Sequence, residues 1–244
     1  MRNVKLTIEY EGSGYAGWQV QTNGLSIQEV LQVAIAAVTG EPEVKLIGSG
    51  RTDAGVHAAG QVANFRTETT IPAEALPHAI NTKLPDDVAV LAAEDVPEGF
   101  HARYSAKGKT YRYSILNRRI RSPLARARTA LVSRPLDVAA MRMAARDIVG
   151  EHDFAAFQSK PNGKPSVRTV TGLTVETVGE QIDVLITGNG FLYNMVRAIA
   201  GTLIEVGLGK RAPDSLAELI RSCDRSRAGP TAPAQGLCLL EVKY

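Results

Sequence analysis

What most constrains the fold is an order of elements that occurs twice. Near the start, Val4, Leu6, Ile8 and Tyr10 alternate with Lys5, Thr7 and Glu9, the period of a half-buried strand. Ser26 and Glu29 have capping-box spacing and precede an apolar stripe of Ile27, Val30, Leu31, Ala34 and Val38, which predicts a helix. Strands are expected over 44–49 and 61–66. A helix is then expected from Pro72, with Leu76, Ile80 and Leu84 on one face and Pro77 distorting its first turn. A strand over 88–93 closes this half. The second half begins with a strand over 107–116 and a helix opened by Asp137, with Met141, Ala144 and Ile148 facing inward. Strands over 169–177 and 182–187, a helix over 191–206, an extra helix opened by Asp214 and a strand over 237–242 follow. Each half then reads β-α-β-β-α-β, the order of the split ferredoxin-like unit. The expected class is α+β, with two ferredoxin-like halves at residues 1–100 and 101–244. Antiparallel sheets joined side by side would leave an active-site cleft between them.

A chain of 244 residues, 44% of them hydrophobic, is long enough to bury such cores. The alternating N-terminus is not a signal peptide, and no run approaches the roughly 18 to 20 apolar residues of a membrane span. Cys223 and Cys238 lack CxxC spacing, so no disulfide framework is expected. A cytoplasmic protein is the expectation. His57, His78, His101 and His152 are scattered without metal-ligand spacing. Gly188-Asn189-Gly190 has Tyr193 where the third glycine of a dinucleotide loop belongs. Gly207-Leu208-Gly209-Lys210 lacks the upstream glycine and the Ser or Thr of a phosphate loop. Neither a metal nor a cofactor is expected, which leaves chemistry by carboxylate, arginine and tyrosine.

Charge is unevenly placed. Residues 99–136 contain ten of the 28 Lys and Arg, among them Arg103, Lys107, Lys109, Arg112 and Arg126, and none of the 25 Asp and Glu. A solvated loop neutralised by acids elsewhere accounts for this. So does a polyanion surface, where Lys and Arg gain affinity by releasing counterions and arginine adds bidentate contacts. Tyr104, Tyr111 and Tyr113 interleave with the charges, which suits stacking on unpaired bases and favours RNA or single strands.

The candidate catalytic stretch is Gly50-Arg51-Thr52-Asp53-Ala54-Gly55-Val56-His57. Its glycines permit close approach to a ligand, and Asp53 is its carboxylate. An Asx-type turn explains the same residues, so the loop alone leaves both readings open. His57 ranks below Asp53 as an acid or base. Tyr111 lies near the polar end of its strand, where its ring can stack on a base, whereas Tyr113 and Ile115 read as core. Arg197 points away from the stripe of Leu192, Val196, Ile199 and Leu203. Its neighbours one turn away are Tyr193, Asn194 and Gly201, not a solubilising face, and a buried arginine needs a carboxylate such as Asp53.

Together these segments resemble the bacterial tRNA pseudouridine synthase A family. The resemblance runs through Tyr10-Glu11-Gly12 with Tyr15 and Gly17-Trp18-Gln19, the Gly50–His57 stretch and Lys109-Thr110-Tyr111-Arg112-Tyr113. It continues through Asn189 to Arg197 with Gly201-Thr202-Leu203, and Thr231-Ala232-Pro233-Ala234 with Gly236-Leu237. It implies isomerisation of uridine to pseudouridine in the tRNA anticodon stem-loop, at positions 38 to 40. Asp53 would be the essential carboxylate, Arg197 its ion partner, Tyr111 the ring stacked on the target base and Arg51 the residue helping to extrude the nucleotide. Arg51, Arg103, Lys107, Lys109, Arg112 and Arg126 would grip the RNA, and the resemblance implies a homodimer binding tRNA. Two other readings stay open on the residues themselves. A non-catalytic RNA-binding protein gives Asp53 no task, and a carboxylate-dependent hydrolase wants a second acid or a metal.

Overall fold

In the computed structural model, which describes residues 1–160, 163 and 165–244, strand β1 (Arg2–Tyr10) organises the first half. It is followed by α1 (Ile27–Thr39), β2 (Ile47–Gly48), β3 (His57–Thr67), α2 (Leu76–Asn81) and β4 (Val88–Val96). β1 lies between β3 and β4 and is antiparallel to both, and β2 adds antiparallel to β3 at Ala63–Asn64. Val4, Leu6 and Ile8 are fully buried, as are Ile27, Leu31 and Ile35 of α1 and Leu76 and Ile80 of α2. Alternation sends Asn3 and Lys5 to the other face. There the Asn3 amide donates to the carbonyls of Pro97 (3.2 Å) and Phe100 (3.0 Å), and Asn64 Oδ1 accepts from Ala102 N (2.8 Å), laying the segment 97–102 across that face.

Local chemistry explains where elements start and stop. Ser26 caps α1, its hydroxyl accepting from Glu29 N at 3.2 Å, and Gly40 ends the helix at φ 75°. The helix expected from Pro72 opens as a 3-10 turn over Ala73–Ala75, and α2 begins at Leu76 with Pro77 in its first turn, where its nitrogen owes no helical hydrogen bond; Leu84 lies beyond its end. The strand expected over 44–49 shrinks to β2. Gln28 and Gln32, one turn apart on α1, donate to the carbonyls of Leu46 (2.8 Å) and Val44, so helix side chains take up groups that a ladder would have used.

The second half contains β5 (Gly108–Asn117), β6 (Ala130–Val132), α3 (Val138–Ala145), β7 (Gly150–Asp153), β8 (Val167–Val178), β9 (Gln181–Gly188), α4 (Met195–Gly207) and α5 (Leu216–Ser222). Its sheet runs β5-β9-β8-β7 in antiparallel order, with β6 parallel to β5. Asp137 caps α3, accepting from Ala140 N at 2.9 Å, and Met141, Ala144 and Ile148 are fully buried. β6 and β7, three and four residues long, are additions to the expected order. The last strand, β10 (Leu237–Lys243), begins in this half and ends in the first.

The fold class is α+β, and the chain forms two compact units. One is Met1–Lys107 with Leu239–Tyr244, and the other is Gly108–Cys238. The division lies between Lys107 and Gly108, not at residue 100, because 97–102 is hydrogen-bonded to Asn3 and Asn64 of the first sheet. Among the described residues, no helix is long and apolar enough to cross a membrane. Replacing Ser26 by Ala removes the α1 cap and is expected to lower stability by about 1 kcal/mol. Urea unfolding measures this, and an unchanged midpoint would show that the cap contributes nothing.

Candidate functional site

The Asp53 loop, residues 49–56, leaves β2 and enters β3, and it is held by both main-chain and side-chain hydrogen bonds. At its start Ser49 N donates to Val62 O (2.7 Å), the Ser49 hydroxyl to Gln61 Oε1 (2.6 Å) and Gln61 Nε2 to Gly50 O (3.1 Å). At its centre Trp18 N donates to Thr52 O at 3.1 Å, and the Thr52 hydroxyl pairs with Tyr10 Oη at 2.7 Å. Gly17 sits against this point at φ 103°, where a Cβ would lie 2.6 Å from Thr52 O and 3.1 Å from the carbonyl carbon of Asp53. Only glycine satisfies both the dihedral and the clearance. Val56 N donates to Asp53 O (3.1 Å) and closes a turn through Gly55 at φ 78°. Asp53 itself is half-buried.

His57 is the first residue of β3, not part of the loop. It is buried, and its Nδ1 accepts from Gly12 N at 3.0 Å. That bond places the proton of a neutral ring on Nε2; the Glu11 carboxylate, 3.4 Å from Nδ1, is then a neighbour and not that atom's acceptor. His57 therefore shapes the turn at Gly12–Gly14. Arg51 is exposed, with Nε donating to Gln19 Oε1 at 3.1 Å, two residues from Asp53.

In the second unit, Tyr111 of β5 is buried and meets the ring of Phe191 edge-on, centroids 5.3 Å apart. Tyr113 and Ile115 are fully buried core. Arg197 lies in the first turn of α4, which starts at Met195 and not at 191. Asn194 takes a left-handed conformation there (φ 61°), which asparagine tolerates better than most residues. Its Oδ1 accepts from Arg197 Nη1 at 3.0 Å. α4 is buried on nearly every side rather than along one stripe: Met195, Ala198, Ala200, Gly201 and Thr202 are buried as well as Val196, Ile199 and Leu203. Arg197 thus emerges half-buried from an otherwise enclosed helix.

The segment 229–233 holds Arg197 in place, a role that sequence patterns did not indicate. Ala232 N donates to Arg197 O (3.1 Å) while Arg197 Nε donates to Ala232 O (2.8 Å), so one residue grips both the backbone and the side chain. Gly229 N donates to the Thr202 hydroxyl (2.9 Å), and Tyr113 Oη donates to Pro233 O (2.9 Å). Arg225 brackets the segment from outside, donating to Gly229 O and Thr231 Oγ1, both at 3.0 Å. Burial pushes the Tyr113 phenol above its ordinary range, partly offset by the Arg197 charge. The cues in the sequence were the stiff Gly229-Pro230-Thr231-Ala232-Pro233 run after α5 and its overlap with the Thr231–Ala234 segment of the resemblance, neither of which assigns it to Arg197.

The basic stretch divides between the units. Arg103 and Lys107 are exposed in the first; Arg126 is exposed in the second, where Lys109 and Arg112 are half-buried on β5. Arg118 holds its own loop, with Nη1 3.0 Å from Glu180 and further donations to the carbonyls of Ile120 and Arg121. Among the described residues, no three or more His, Cys, Asp or Glu side chains are grouped to hold a metal.

A family model described as tRNA pseudouridine synthase matches residues 6–105 and 144–244. The tRNA pseudouridine synthase A of Thermoanaerobacter sp. (strain X514) is 53% identical over 245 residues, covering 100% of both chains. Those of Acetivibrio thermocellus and Geotalea uraniireducens are 51% and 50% identical, again over 100% of both chains.

At Gly201, a Cβ would lie 1.8 Å from Pro230 O. Gly201→Ala is therefore expected to push 229–233 off α4, lowering stability by about 1–3 kcal/mol. It is also expected to reduce turnover by more than the lost folded fraction. Unfolding and activity measured on the same preparation test this; a variant of unchanged stability would mean that the segment yields without strain.

Proposed function

The chain belongs to the tRNA pseudouridine synthase family, and on that premise we propose that it converts uridine to pseudouridine in the tRNA anticodon stem-loop, at positions 38 to 40, with Asp53 as the essential carboxylate. The observation that carries the reading is the Asp53 loop itself. A half-buried carboxylate sits on a turn that Val56 N closes onto Asp53 O and that Gly17 backs, so the backbone carrying the acid is fixed in place.

The chemistry needs little beyond what these residues provide. The uracil N1–C1′ bond breaks, the base turns, and a C5–C1′ bond forms; C5 loses a proton and N1 gains one. Atoms and electrons balance without a redox partner. Two routes use the same carboxylate, attack on the anomeric carbon or removal of the 2′ proton. In this reading Arg197 is the positive partner of Asp53, a task suited to a guanidinium held through Ala232 and Asn194. Tyr111 stacks on the target base, its ring already braced by Phe191. Exposed Arg51 helps to hold the extruded nucleotide, since a paired base must leave the stack before its sugar is reached.

Capture falls to Arg51, Arg103, Lys107, Lys109, Arg112 and Arg126, acting on phosphates. The reading includes a homodimer in the cytoplasm; Leu124 (99% exposed) and Ile120 (74%) on one loop offer apolar surface to a second copy. It also extends to ferredoxin-like halves, which the β4-β1-β3 order with β2 on β3 supports in the first unit.

Tritium release from unmodified tRNA carrying 5-tritiated uridine tests the reading. Asp53→Asn should lose at least about 10²- to 10⁴-fold in release and still bind tRNA. A wild type that binds tRNA and releases no tritium would sink the isomerase reading; release that survives the substitution would sink Asp53. Arg103→Ala and Arg126→Ala should each weaken tRNA binding and flatten the plot of log affinity against log salt by about one unit. A titration of affinity against salt decides this, and an unchanged slope removes the residue from the phosphate contacts.

A further inference from the structure

Tyr104 is 77% exposed, yet its setting is not that of a loose surface residue. It sits in a turn, 101–105, tied at several points. His101 N donates to Ser105 Oγ (3.1 Å) and Ser105 N to His101 O (2.9 Å). His101 Nδ1 in turn receives the amides of Arg103 (3.2 Å) and Tyr104 (3.3 Å). Fully buried Ala102 anchors the turn, its amide bonded to Asn64 and its carbonyl accepting from the Tyr244 hydroxyl at 2.7 Å. The Tyr104 ring rests on His101, centroids 4.3 Å apart and tilted by 34°, and the Arg103 guanidinium lies 5.7 Å from its centre. One face of the ring is thus backed and the side chain stays open to solvent.

We propose that Tyr104 is a stacking platform for an unpaired base of the bound RNA, apart from the residues assigned to the reaction, with Arg103 and Lys107 meeting the flanking phosphates; this rests on the tRNA reading above. Charge selects the partner. The nearest acids in sequence are already engaged, Glu98 with Arg66 at 3.5 Å, Asp95 with Arg2 at 3.4 Å and Glu94 with Lys5 at 2.6 Å. Among the described residues, no carboxylate lies within 4 Å of Arg103 or Lys107. A protein partner would call for further apolar surface, and no other large apolar side chain in 97–107 is exposed. An aromatic ring among cations, with no acid and no apolar surround, fits a nucleobase next to phosphates.

The test compares Tyr104→Ala, Tyr104→Phe and Tyr104→Trp for binding of unmodified tRNA, by fluorescence anisotropy across a salt series. Tyr104→Ala should raise Kd by about five- to twenty-fold with no change in salt slope, because stacking releases no counterions. Tyr104→Phe should bind as wild type, and the indole of Tyr104→Trp should be quenched when tRNA binds. Equal affinity of Tyr104→Ala and wild type overturns the platform. Equal weakening by Ala and Phe overturns it too, since the hydroxyl would then be the contact. Unchanged RNA affinity with altered self-association in sedimentation assigns the ring to a protein contact and likewise ends the proposal. Binding is read without turnover, so tritium release by the wild type tests the isomerase reading separately.

Discussion

A main-chain segment lies against helix α4 at a distance that no side chain at position 201 would permit. With glycine there, Pro230 O comes to where a Cβ would be, and Ala232 reaches Arg197 with both its amide and its carbonyl. The first unit repeats the device at Gly17, against which Thr52 and Asp53 rest. In each unit the residue assigned to chemistry lies beside a close backbone approach that only a glycine permits. Backbone groups have few alternatives and lose little side-chain entropy when they pair, so such a position is better defined than one set by long side chains.

The setting of Arg197 follows from the helix that carries it. An amphipathic helix buries one stripe and gives its remaining face to water. α4 buries Ala198, Ala200, Gly201 and Thr202 as well as Ile199 and Leu203, so its small residues admit neighbouring backbone where large ones would exclude it. A guanidinium leaving such a helix needs acceptors close to its root, and Asn194 and Ala232 supply them. Asn194 serves twice, since the left-handed geometry that opens the helix also brings its amide oxygen within reach of Arg197.

Much of this framework was legible in the residues. Ser26 and Asp137 mark their helix starts because a cap is a local interaction between neighbours in sequence. Alternation located β1, since a strand with alternating burial writes its period directly. Failures came where distant parts of the chain decide. The segment 44–49 has the composition of a strand, but Gln28 and Gln32 draw its carbonyls to a helix. His57 ranked below Asp53 as an acid, and its partner, Gly12 N, lies 45 residues away, beyond the reach of a local pattern. Asp53 and Arg197 could be named, but what holds them could not. Close approaches at Gly17 and Gly201 are backbone events, and a sequence records them only as the absence of a side chain.

The ten cations of the basic stretch do not act as one patch. Arg118 is committed to its loop, Lys109 and Arg112 are half-buried in a strand, and Arg103, Lys107 and Arg126 reach solvent. Among the described residues, cations of the last kind share no hydrogen bond with the loop or the segment of their own unit, so in the proposed function changing them would alter the field met by RNA without moving the groups assigned to chemistry. Arg51 is the exception. It is exposed like the capture residues, yet it belongs to the rigid loop and stands two residues from Asp53. A phosphate bound there is bound relative to the carboxylate, so its charge contributes to orientation as well as affinity. In the proposed function that coupling, rather than net charge, is what an arginine beside the acid would contribute.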